Sequence, residues 1–155
     1  MKTTDEHTIA VEVHPALKEF ISTIVGTTVI EPIRNSDFYH KIVSFGESKN
    51  LRKKGRKYRF GTYETISLKI NANFDNETIL SKNMGSLIGQ EIFESFRNTF
   101  VSYIMAAIRK GVEHETDAIR DFCIIYGICT SPKTLKTLKN VWYRSKKRNE
   151  QTVLC

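Results

Sequence analysis

Ile88, Ile92, Phe96, Phe100, Ile104 and Ile108 recur every four residues between Ser86 and Lys110, with Phe93, Tyr103 and Ala107 beside them. Apolar residues at that spacing line one side of an α-helix. A helix over Ser86 to Lys110 spans roughly 37 Å at about 1.5 Å per residue. Arg109 and Lys110 sit at its negative end, and Gly111 supplies the stop.

Two further helices are expected downstream. The first runs from Thr116, an N-cap residue, to Tyr126, with Asp117 near its positive end and Gly127 as the stop. The next opens at Ser131-Pro132, a cap followed by a first-turn proline, and runs to about Arg148. Asn149 to Cys155 is expected to fray.

The N-terminal half reads differently. Thr8 to Val13 alternates Ile9, Val11 and Val13 with Ala10 and Glu12, a strand pattern. His14-Pro15 then opens a helix, with His14 as its cap and an apolar stripe of Leu17, Phe20, Ile21, Ile24 and Val25 that stops at Gly26. Thr27 to Ile33 is β-branched and strand-like, ending near Pro32. Phe38 to Phe45 fits either a strand or a short helix. Tyr58 and Phe60 begin a strand, Gly61-Thr62 a turn, and Thr65 to Ile70 a strand with Ile66, Leu68 and Ile70 on one face. Asn71 to Asn76 is turn-rich. The expected fold class is α+β: a small strand/helix unit over 1–76 with a basic loop at 47–59, then a helical unit over 77–155 with the long helix and a helix-turn-helix-like pair, both sharing one core.

Charge is distributed unevenly along this frame. Lys49 to Arg59 holds seven basic residues and no acid, and Lys133 to Arg148 holds seven more, again with no acid. The other ten Lys/Arg face seventeen Asp/Glu, so the chain is acidic outside two patches although its net charge is +7. Concentrated basic patches on an otherwise acidic chain suit contact with a polyanion.

The segment 116–148 resembles a helix-turn-helix DNA-binding unit. Phe122, Tyr126 and Ile128 provide apolar contacts for the first helix and turn, and Cys123 is small where two crossing helices approach closely. Gly127 can take the left-handed conformation that ends the first helix. Leu135, Leu138 and Val141 or Trp142 give the second helix its buried side. Its other side presents Lys133, Lys136, Asn140, Arg144 and Lys147, spaced 3, 4, 4 and 3, with Lys139 nearby. The resemblance implies a recognition helix in which Asn140 and Arg144 read base edges and the lysines contact phosphates. The turn departs from the pattern, being two residues longer than the commonest tight form around Cys129 to Ser131. A basic outer face of an ordinary helical hairpin is the alternative. In the first basic patch, Arg52, Lys53, Lys54, Arg56 and Lys57 lie on a segment without apolar periodicity, suited to phosphate contact but not to sequence choice.

Little points to catalysis. His7, His14, His40 and His114 are scattered without metal-ligand spacing, and Glu64 with Lys69 does not match a nuclease Glu-x-Lys strand. Glu113, Glu115, Asp117 and Asp121 cluster at a helix start, where dipole pairing accounts for them. There is no phosphate-cradling loop or nucleophile elbow. Cys123, Cys129 and Cys155 form no C-x-x-C and are expected as reduced thiols. No enzymatic activity, metal or cofactor is expected. The polar Met1 to His7 leads into no signal-type apolar segment, and charges interrupt every apolar run before a membrane span accumulates. The expected location is cytoplasmic or nucleoid-associated.

The sequence therefore predicts a protein that binds double-stranded DNA, a transcriptional regulator or an accessory factor of a phage or mobile element, in which the long helix 86–110 either scaffolds the unit or forms a homodimer. Two alternatives stay open. One is a non-specific binder of RNA or single-stranded DNA. The other is a structural or adaptor protein of virion type whose basic patches face nucleic acid.

Overall fold

The computed structural model describes residues 6–33, 36–45, 64–71 and 82–153. The basic loop 47–59, with Arg52, Lys53, Lys54, Arg56 and Lys57, lies outside the described residues, as do the expected strand at Tyr58 and Phe60 and the turn beyond Asn71. Among the described residues the order is β1 (Glu6–Val13), α1 (Pro15–Val25), β2 (Val29–Ile30), α2 (Asp37–Phe45), β3 (Glu64–Asn71), α3 (Lys82–Arg109), α4 (Glu115–Ile125) and α5 (Pro132–Val153). The α+β class is as expected. The chain divides into two compact units, Met1–Phe93 and Glu94–Cys155, with the division inside α3.

In the first unit the strands run in the order β1-β3-β2, with β3 antiparallel to β1 and parallel to β2. Ile9 pairs with Leu68 and Val11 with Ile66, so the alternating apolar positions of both strands fall on one face. Those four side chains and Val13 and Ile70 are buried. Glu6, Ala10, Glu12, Thr65 and Asn71 are exposed, giving a sheet with one covered and one open face. Helix α1 buries Ala16, Leu17, Phe20 and Ile21, and α2 buries Ile42.

His14 caps α1 as its position predicts: its Nδ1 accepts the Ala16 amide at 3.0 Å. The strand expected over Thr27 to Ile33 shrinks to Val29–Ile30. Pro32 has no N–H to offer a ladder, and Ile33 is exposed. The open assignment over Phe38 to Phe45 resolves as helix.

Helix α3 begins at Lys82, four residues before the expected start at Ser86. Two glycines of this helix, Gly85 and Gly89, lie against β1. A Cβ at Gly85 would stand 3.1 Å from the Ala10 carbonyl oxygen, and one at Gly89 would stand 3.3 Å from that of Glu12. The two glycines lie one turn apart and the two carbonyls two residues apart. Helix backbone thus lies directly against strand backbone, at a distance where even a methyl group would press on the strand carbonyls.

The second unit is built on rings. Phe122 of α4 meets Phe96, Phe100 and Tyr103 of α3 edge-on at 5.9, 5.0 and 5.5 Å, and Tyr126 at 4.5 Å. Phe96 and Phe100 stack at 5.8 Å. Edge-to-face pairs in this range add to the area each ring buries. Ile88, Ile92, Phe93, Phe96, Phe100 and Ile104 are all buried within the chain, so Ile108 is the one member of the four-residue row left exposed.

Candidate nucleic-acid interface

Helix α4 ends at Ile125 with Tyr126 as its C-cap, and Gly127 follows with a φ of 66°. The Ile128 amide donates to the Cys123 carbonyl at 2.8 Å and the Gly127 amide to the Ile124 carbonyl at 3.5 Å. This pair of bonds closes the helix through a left-handed residue and turns the chain back sharply. Ile128 is buried just after the turn, Cys123 is buried on α4, and α4 and α5 pack together. Cys129 is exposed, and both of these cysteines are free thiols.

Helix α5 starts where Ser131-Pro132 indicates. Ser131 Oγ accepts the Thr134 amide at 3.2 Å, and the Ser131 carbonyl accepts the Leu135 amide at 2.9 Å. Leu138, Val141, Trp142 and Ser145 form its buried side, with Leu135 half-buried. The helix continues to Val153, past the expected end at Arg148.

The start of α4 differs from the sequence reading. The helix begins at Glu115 after His114, whose side chain makes no cap hydrogen bond, and Thr116 lies inside the first turn. The earlier start brings Glu115 beside α5, where Lys146 Nζ donates to Glu115 Oε1 at 3.0 Å. Burial alone would raise the Glu115 carboxyl. The hydrogen bond from Lys146, the Trp142 indole N–H and the Lys146 charge outweigh it and hold the carboxyl below its ordinary value. The Trp142 N–H is buried and completes no hydrogen bond of normal geometry, so its effect on Glu115 is that of a nearby dipole.

The outer side of α5 is a different environment. Lys133, Lys136, Asn140, Arg144 and Lys147 are all exposed. At about 100° per residue they occupy an arc of roughly 80°, opposite the buried side. Lys139 is half-buried on the flank. None of these six side chains forms an ion pair or hydrogen bond with a described residue. Glu113, Asp117 and Asp121 are exposed before and along α4. Among the described residues, no three His, Cys, Asp or Glu side chains gather as a metal site. No described helix is long and apolar enough to cross a membrane. Sequence reasoning missed the Glu115–Lys146 tie, because nothing in one-dimensional spacing joins residues 31 apart.

Comparison with protein families, curated proteins and solved structures yields no match to the chain.

Proposed function

We propose that this protein binds double-stranded DNA through the outer face of α5, in the manner of a transcriptional regulator or an accessory DNA-binding factor. One observation carries the reading: a stripe of four exposed cations and an asparagine has no partner among the described residues, on a helix whose opposite side is buried. A merely solvated helix face mixes charge signs, whereas the chain from Phe122 to Asn149 contains no acid at all. Asn140 offers adenine a bidentate amide, and Arg144 offers guanine a guanidinium fork. The lysines around them supply phosphate contacts. The exposed acids of α4 require the phosphate backbone to be met by α5 rather than by the α4 N-terminus.

Selection of bound sequences from a random duplex DNA library, with an RNA pool run in parallel, tests the reading. Enrichment of a short duplex motif supports it. Equal recovery of all duplexes points to a non-specific phosphate grip, and preferential recovery of RNA replaces DNA as the ligand.

A further inference from the structure

Tyr143 is 53% exposed, and it is the only aromatic residue among the large hydrophobic side chains exposed in the described residues. It lies on α5 beside Trp142, which is buried, so the helix itself directs one ring inward and the other outward. Tyr143 makes no hydrogen bond or ring contact with a described residue. At about 100° per residue, Tyr143 stands about 60° to one side of Asn140, and Arg144 about 40° to the other. The three side chains are spread over four residues, roughly 6 Å of helix axis, against about 3.4 Å per base step. Helical side chains lean toward the N-terminus of their helix, which carries the Tyr143 ring over the turn that holds Asn140.

We infer that Tyr143 is a third reading residue of this face, and that its ring packs against the C5-methyl group of a thymine next to the base contacted by Asn140. The inference rests on the duplex-DNA reading given above. The chemistry favours this over stacking on unpaired bases. A single-strand platform uses several aromatic groups on which successive bases stack, and α5 exposes one. In the major groove, a thymine methyl is the apolar feature that distinguishes A·T pairs, and an apolar side chain beside an adenine-reading amide recognises it.

The test uses the full chain, a preferred duplex and fluorescence anisotropy at fixed salt, with thymines replaced one at a time by uracil to remove only the methyl group. For the unsubstituted protein, one such replacement should weaken binding about threefold to fivefold, the worth of one buried methyl. Tyr143→Ala should weaken binding to the thymine duplex by a similar factor and abolish the thymine–uracil difference, while Tyr143→Phe should retain it. The inference is overturned if the unsubstituted protein is indifferent to every replacement, or if Tyr143→Ala still discriminates. Base preference that survives without a methyl effect overturns this inference alone. Absence of any duplex binding overturns the duplex-DNA reading as well.

Discussion

Lys146 Nζ lies 3.0 Å from Glu115 Oε1, tying the C-terminal half of α5 to the first turn of α4. The pair sorts the cations of α5 by direction. Lys146 turns to a protein carboxylate, while Lys133, Lys136, Arg144 and Lys147 face outward with no acid among the described residues. A recognition helix must be held in place by one side while it offers the other, and the tie serves the first of these needs.

The Glu115 carboxyl is held below its ordinary value of 4.5 in the folded chain, so the tie stabilises the fold above the unfolded value and is lost as pH falls through the folded one. Glu115→Gln should lower stability above about pH 6 by up to about 1 kcal/mol, since the Lys146 side chain is 45% exposed and solvent screens the pair. Thermal midpoints of both proteins measured from neutral to acid pH should converge below the carboxylate range. A gap that widens on acidification would contradict the assignment.

Gly85→Ala and Gly89→Ala test the backbone contact of α3 with β1. Alanine gains about 1 kcal/mol of helix propensity over glycine. Against this, each new Cβ meets a strand carbonyl at 3.1 or 3.3 Å, and overpacking of this kind costs about 1–3 kcal/mol. The carbonyls belong to a strand fixed along its length by β3, so the clash should win. Urea denaturation should show each variant destabilised by about 1 kcal/mol, with Gly85→Ala the worse; a stabilised variant would contradict the close approach.

Phe122→Ala removes the ring that four others contact. Loss of a buried phenylalanine costs about 3–5 kcal/mol, so this variant should unfold the second unit or bring it close to its midpoint at 25 °C. Near-ultraviolet circular dichroism would report it through Trp142, which is buried in the same unit. Phe122→Leu should retain the fold.

Asn140→Ala and Arg144→Ala should relax base preference at separate positions, each costing about 1–3 kcal/mol of discrimination, while Lys136→Ala should weaken all sequences alike. Library selection with each variant distinguishes these outcomes. A uniform loss from Arg144→Ala would make it a phosphate contact.

Much of this architecture is legible in the chain because its signals are local. The alternation Ile9-Val11-Val13, the His14-Pro15 opening, the row from Ile88 to Ile104, Gly127 and Ser131-Pro132 each fix a backbone state within a few residues. What escapes is set by contacts distant in sequence. The start of α3 at Lys82 and the approach of Gly85 and Gly89 to β1 have no counterpart in local spacing. Thr116 looks like the better cap, yet the helix begins at Glu115, whose partner Lys146 is 31 residues away. The stripe on α5 is legible as spacing, but its lack of partners among the described residues is a property of three dimensions. Tyr143 and Trp142 are adjacent aromatic residues in the chain, and only the helix packing decides that Tyr143 is the exposed one.

Contact between the outer face of α5 and DNA phosphates must show in the salt dependence of duplex binding. Binding of the full chain to random duplex DNA, measured between 50 and 200 mM salt, should weaken linearly on logarithmic axes by about 0.9 per phosphate contacted. Replacing Lys133, Lys136 and Lys147 with alanine should reduce that slope by about 2 to 3 while leaving the thermal midpoint unchanged, because none of the three is tied to a described residue. Binding that does not respond to salt, or a slope that survives the triple substitution, would contradict the assignment of this face to nucleic acid.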